Sequence, residues 1–198
     1  CNLNCCYCAP SRPALVKPKD LLSFEEMVRV SKIAVGLGIR KIRLTGGEPL
    51  CRPEIVDLTE RVVAFEGIKE ISLTTNGILL QKYAESLKQA GMSRINISLD
   101  TLHRDKFRQI TGVDGFDKVW GGIMAAMDAG FAPIKINTVV MKGVNDDEIE
   151  QLAALTLDYP LHVRFIEYMP IGSCAKDAGS FFLPVDEIKK RIDSVGDL

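Results

Sequence analysis

The sequence has no long apolar run, no surplus of either charge, and almost no cysteine beyond its first eight residues. No stretch approaches the roughly 18–20 consecutive apolar residues that a transmembrane helix needs. No signal-peptide pattern is present. Both absences point away from a membrane and toward the cytoplasm. The 25 Lys and Arg nearly balance the 26 Asp and Glu, leaving a net charge of −1. No global field therefore favours nucleic acid or an anionic lipid surface, and any anion site must be local. Of the 6 cysteines, only Cys51 and Cys174 lie outside the first eight residues. That clustering excludes an extracellular disulfide scaffold and reads as a metal site in a reducing compartment. The 2 histidines, His103 and His162, belong to no motif. The 198 residues, 46% of them hydrophobic, suffice for one domain with a substantial core.

What is present begins at once, with Cys1-Asn2-Leu3-Asn4-Cys5-Cys6-Tyr7-Cys8. Cys1, Cys5 and Cys8 have C-x3-C-x2-C spacing. Cysteines so close in sequence do not reach comfortable disulfide geometry with one another. Clustered thiolates suit an iron–sulfur cluster or a zinc ion. Three ligands leave one iron of a four-iron cubane free, and an open position is where a cofactor or substrate binds. The competing reading is a structural zinc site, with its fourth ligand from Cys6, Cys51, Cys174 or a histidine. Cys6 falls outside the spacing and reads as a small packed residue; Cys51 and Cys174 read as plain thiols.

The rest of the chain alternates helix and strand. Ala9 to Asp20 is a linker containing Pro10, Pro13 and Pro18. Ser23 and Glu26 form a capping-box signature for a helix running to about Leu37. Gly38 ends it, and Arg40 to Leu44 reads as a strand leading into Thr45-Gly46-Gly47-Glu48-Pro49. Further helices are predicted at about 53–65, 81–90, 116–129 and 146–157. Strands follow them at 70–75, 94–99, 134–141 and 162–168. A last helix is expected between Phe181 and Val195, entered at Pro184-Val185-Asp186. Such α/β alternation predicts a parallel sheet with outer helices, either curled into a full or partial barrel or open and doubly wound.

In both architectures chemistry sits beyond the carboxyl ends of the strands. Those ends carry Arg43 and Thr45 to Pro49, Thr74-Thr75-Asn76-Gly77, Ser98 and Asp100, Asn137, and Glu167 to Pro170. Lys135 lies near the start of its strand. Each has a plain structural reading as well. Gly46-Gly47 and Asn76-Gly77 are common turn sequences. Ser98 and Asp100 suit caps or turns. Arg43 and Lys135 suit a solvated strand face, and Met169 suits core or loop packing.

Taken together, these residues resemble a known family. The cysteine triplet with Tyr7 before its last member resembles the radical S-adenosylmethionine superfamily, and Thr45 to Pro49 resembles its GGEP motif. Lys41 to Leu50, Leu73 to Gly77, Ile95 to Asp100, Gly143 to Glu148 and Val163 to Pro170 resemble the MoaA family, the GTP 3′,8-cyclases of molybdenum-cofactor biosynthesis. The resemblance runs from Cys1 to about Gly172. It implies a partial (β/α)6 TIM-like barrel whose first strand is missing. It implies a radical SAM core at residues 1–172 and the start of a truncated C-terminal region at 173–198. Cys1, Cys5 and Cys8 would ligate a 4Fe-4S cluster. Tyr7, Gly46, Gly47, Glu48, Ser98 and Met169 would bind S-adenosylmethionine, and Arg43, Thr74 and Lys135 would bind GTP. Reductive cleavage of the cofactor would give a 5′-deoxyadenosyl radical that takes the C3′ hydrogen of GTP, followed by closure onto guanine C8. An electron donor such as flavodoxin or ferredoxin is implied, and a homodimer is compatible.

The match departs from the family in four places. The strand and arginine upstream of the first cysteine, a second cysteine triplet for a second cluster, and a terminal Gly-Gly tail are absent, and Ala9 stands where methionine is usual. The expectation is a chain truncated at both ends, able to hold one cluster and the cofactor but not to turn over GTP alone. The alternative is a sibling radical enzyme acting on a peptide or other substrate through a different C-terminal module.

Overall fold

A computed structural model of the chain describes residues 1–8, 21–169 and 178–196. The expected linker at 9–20, Cys174 and the boundary at residue 172 lie outside them. Helix α1 (Phe24–Gly36) opens with the predicted capping box: Glu26 N–H donates to Ser23 Oγ, and Ser23 N–H donates to the Glu26 carboxylate. Strands β1 (Lys41–Leu44), β2 (Glu70–Thr75), β3 (Arg94–Ser98), β4 (Ile134–Val140) and β5 (Leu161–Glu167) follow. Between them lie α2 (Ile55–Val63), α3 (Leu80–Gln89), α4 (Arg104–Thr111), α5 (Phe116–Asp128) and α6 (Ile149–Asp158).

Two elements differ from the sequence expectation. Helix α4 falls in a stretch without an assignment; it is short and buries only Phe107, Ile110 and Thr111. The second is α7 (Ala178–Phe181), a four-residue helix that precedes the expected C-terminal one, which is α8 (Val185–Asp193). Pro184 sits at the N-cap of α8, where a missing N–H costs nothing and the extended backbone cannot continue a preceding helix.

The five strands form one parallel sheet in sequence order, β1-β2-β3-β4-β5. A doubly wound sheet reverses its order at a switch point. Here the order never reverses, so every crossover places its helix on the same face, as in a barrel segment. That face is apolar: Ile71, Leu73, Ile95, Ile97, Ile134 and Ile136 are fully buried and pack with Leu58, Leu80, Val119 and Ile123 from the helices. Residues paired in parallel register point the same way. The register therefore collects Arg43, Ser72 and Arg94, then Thr74, Asn96, Lys135 and His162, then Ser98, Asn137 and Arg164 on the opposite face. That face is polar, and its cations outnumber the one strand carboxylate in register there, Glu70. Among the described residues no helix is long and apolar enough to cross a membrane.

Candidate functional site

The cysteine loop lies across the carboxyl ends of the strands and is held from two sides. On one side, α4 supplies backbone acceptors at its last turn. Asn4 N–H donates to Thr111 O and Cys6 N–H to Ile110 O, each at 2.9 Å. Gly112 caps this helix with φ 72°, so the chain turns away just below Asn4. Tyr7 Oη donates to Asp100 Oδ2 at 2.7 Å. Asp100 in turn accepts the Val139 N–H on Oδ1, and its carbonyl accepts an Asn145 side-chain N–H. The loop is thereby tied to the ends of β3 and β4. Burial raises the Asp100 carboxyl to about 6, against the Val139 and Tyr7 hydrogen bonds that lower it. Burial first, and then the Asp100 charge and the neighbouring cysteines, push the Cys5 thiol up to about 12. A thiol so placed stays protonated at neutral pH and releases its proton to solvent only when a bound cation takes the thiolate. Burial likewise raises Tyr7, keeping it a hydrogen-bond donor.

On the other side stands the Gly-rich end of β1. A Cβ on Gly47 would lie 2.8 Å from the Cys1 nitrogen and 3.2 Å from its Cβ, so only glycine allows this approach. Gly46 has φ 144°, a backbone conformation that favours glycine. The Glu48 carboxylate faces into the protein: it accepts from Leu50 N–H, Thr75 Oγ1 and Asn76 N–H. It is buried and ties the end of β1 to the end of β2. Asn76 completes the circuit, its side-chain nitrogen reaching Cys1 Sγ at 3.7 Å and Asn2 Oδ1 at 2.7 Å.

Cys1, Cys5, Tyr7 and Cys8 line one cavity of about 260 Å³ with Gly46, Gly47, Thr74 and Ser98. Eight of the sequence-predicted site residues thus meet at one place. Arg43 and Glu48 line an adjoining cavity of about 470 Å³ that shares Cys1, Gly46 and Gly47. The Arg43 side chain is set by a hydrogen bond from Nε to Ser72 Oγ. Lys135 and Met169 line neither cavity. Lys135 is one register step below Asn137 on the polar face, and Met169 is 62% exposed just past β5. A larger cavity of about 860 Å³ lies elsewhere, against the amino ends of β4 and β5. Pro133, Leu157, Tyr159, Leu161 and Phe165 make it mainly apolar, and none of the site residues reaches it.

The site also contains residues that sequence reasoning left off its candidate set. Asp100, Asn76 and Asn137 line the cysteine cavity. Among the described residues, Asn137 Oδ1 is the buried side-chain oxygen with no hydrogen-bond partner. A buried acceptor left unpaired is costly, which suits an N–H or O–H donor on a bound ligand. All three were visible as polar residues at strand ends, but their partners were not.

The donor set distinguishes the two metal readings. Zinc would draw its ligands onto one ion, and Cys174, one of the candidates for its fourth ligand, lies outside the described residues. A cubane takes its cysteines on separate irons. Three thiols ringing a cavity, with glycine backbone on one wall and an unpaired acceptor on another, fit a cluster with a cofactor beside it.

Comparison with known proteins gives the same direction. The family model for the Radical SAM superfamily matches residues 1–156. The GTP 3′,8-cyclase of Moorella thermoacetica is 50% identical over 196 residues, covering 98% of this chain and 60% of that protein. The GTP 3′,8-cyclase of Heliobacterium modesticaldum is 48% identical over 197 residues, covering 99% of this chain and 60% of that one. The chain thus spans about 60% of the length of these curated relatives. Among solved structures, anSMEcpe with bound AdoMet superposes with TM-score 0.73 at 21% identity, covering 98% of this chain and 56% of that one. TYW1 with a lysine-pyruvate adduct superposes with TM-score 0.63 at 19% identity, covering 98% and 69%. At these identities the structural likeness speaks to the fold.

Proposed function

The chain belongs to the Radical SAM superfamily, and on that premise we propose that it is the cluster- and cofactor-binding part of a GTP 3′,8-cyclase acting in molybdenum-cofactor biosynthesis. The observation that carries this reading is the single cavity shared by Cys1, Cys5 and Cys8 with the Gly46-Gly47 turn. Its substrate half rests on the close relatives named as GTP 3′,8-cyclases along almost the whole chain.

In this reading residues 1–172 are the core domain, and residues 173–198 begin a further region. Cys1, Cys5 and Cys8 hold a 4Fe-4S cluster, and the backbone at Gly46 and Gly47 receives the amino acid part of S-adenosylmethionine. When bound, cluster and cofactor supply the electron and the 5′-deoxyadenosyl group with which a hydrogen atom is taken from ribose C3′ of GTP. Tyr7, held by Asp100, fixes the cysteine loop over the cavity. Ser98 and Asn137 offer a hydroxyl and an unpaired carbonyl oxygen to a polar ligand. Met169 closes the rim past β5. Arg43, Thr74 and Lys135 orient GTP. The two cations neutralise the triphosphate locally, as the balanced net charge requires. The sheet's strand ends below and the cysteine loop above enclose the cavity and limit water around the reacting carbon. A second cluster, a flavodoxin- or ferredoxin-type electron donor, a homodimer and a cytoplasmic location complete the proposal.

The test is isotope transfer. GTP carrying deuterium at C3′ is incubated anaerobically with reductant, S-adenosylmethionine and the protein at its relatives' full length. Deuterium in the 5′-deoxyadenosine formed is the expected result. Cofactor cleavage without transfer from GTP would move the substrate to another class and favour the sibling enzyme.

A further inference from the structure

We infer that Asn76 is a positioning residue that donates an N–H···S hydrogen bond to Cys1 and thereby sets the reduction potential of the iron–sulfur cluster. The inference rests on the cluster reading above.

The geometry fixes the amide before any cluster is bound. Asn76 follows β2 and is 9% exposed. Its backbone N–H donates to Glu48 Oε2 at 2.7 Å. Its side-chain oxygen accepts the Ile78 N–H at 3.1 Å. A backbone donor there demands an oxygen, so the two ends of the amide are not interchangeable. The NH2 end therefore faces the cysteine loop. Its two hydrogens meet two acceptors, Asn2 Oδ1 at 2.7 Å and Cys1 Sγ at 3.7 Å. Gly77 then turns the chain sharply away with φ 79°, where a Cβ would press on Val119 at 3.0 Å and Ile97 at 3.1 Å.

A hydrogen bond to a ligating sulfur draws electron density from it and favours the more negative, reduced cluster. Removing the donor makes reduction harder. The same contact orients Cys1, whose other neighbour is the Gly47 backbone. Asn76 thus joins the Gly-rich turn, through Glu48, to one cluster ligand.

The test is an EPR-monitored redox titration of the reconstituted protein. Asn76→Asp keeps the acceptor for Ile78 N–H and the side-chain shape but has no N–H to offer, and the neutral Asn76→Leu, measured beside it, must shift the potential in the same direction so that the added carboxylate charge is not the cause. The Asn76→Asp cluster should be harder to reduce by roughly tenfold, about 59 mV for one electron. Leu80→Ala, which weakens the same turn from the core side without touching sulfur, should lower the melting temperature and leave the potential alone. An unchanged potential in Asn76→Asp, or an equal shift in Leu80→Ala, overturns the inference. Should Asn76→Asp not hold a cluster, the native protein still decides. With 15N in its asparagine side chains, pulsed EPR of the reduced cluster should show weak nitrogen coupling, and none would overturn the inference. A native protein that assembles no cluster removes the cluster reading and this inference together. A cluster whose potential ignores Asn76 removes only the inference.

Discussion

The two faces of the sheet differ more than any two elements of the fold. Under the helices lie Ile71, Leu73, Ile95, Ile97 and Ile136, all fully buried. On the opposite face, in the same strands, lie Ser72, Thr74, Asn96, Ser98 and Asn137, with Arg43, Lys135 and Arg164 beside them. Period-two alternation assigns stability to one face and ligand chemistry to the other. Neighbouring residues of one strand, such as Leu73 and Thr74, therefore serve separate ends. The cysteine loop sits where the polar face meets the strand ends, so Cys1, Cys5 and Cys8 share one cavity with residues of that rim.

This contrast is open to direct attack. The largest effect should come from the apolar face. Leu73→Ala should cost about 2–5 kcal/mol in denaturant unfolding, because Leu73 is wholly enclosed. The fraction that remains folded should keep its ligand affinity. A smaller effect belongs to Asp100, at the junction. Its folded pKa, about 6, lies above the ordinary value of 3.8. Folding therefore favours the protonated form, and the cost of burying the carboxylate grows as pH rises from about 4 to about 6. In the metal-free protein, stability should fall across that window by up to about 3 kcal/mol. Asp100→Asn should abolish the slope, while a wild-type profile flat from pH 4 to 6 would show the carboxyl to be unshifted. The smallest effect on the fold belongs to the polar face. Arg43→Ala should change stability by less than about 0.5 kcal/mol. By isothermal titration it should weaken GTP binding roughly tenfold and leave cofactor cleavage intact. Unchanged GTP affinity would take Arg43 out of the site.

The sheet was legible because its signals are local. Alternation in Lys41-Ile42-Arg43-Leu44, Ile134 to Val140 and Leu161 to Phe165, and the glycines after α1, α2, α3 and α5, mark the five strands among the described residues. The cysteine spacing and Gly46-Gly47 were legible for the same reason. Helix α4 was not, because eight mostly polar residues offer barely two turns of periodicity. Yet its last carbonyls hold Asn4 and Cys6. Asp100 and Asn76 read as ordinary turn residues because their partners are remote. Tyr7 is 93 positions from Asp100, and Cys1 is 75 from Asn76. Only folding shows that these turn residues bind the cysteine loop to the rim. Pro184 marked the entry to α8 correctly, whereas α7 before it, at four residues, is too short to show a period.

The central claim is that Cys1, Cys5 and Cys8 together hold one cubane cluster in the cavity at the strand ends. The most direct measurement is iron and sulfide content after anaerobic reconstitution, compared between the protein and its Cys1→Ala, Cys5→Ala, Cys8→Ala triple variant. The account predicts that the variant loses one cubane's iron and sulfide, along with the brown absorbance near about 400 nm that dithionite bleaches. Equal iron in both proteins, or stoichiometric zinc without colour in the unaltered one, would contradict it.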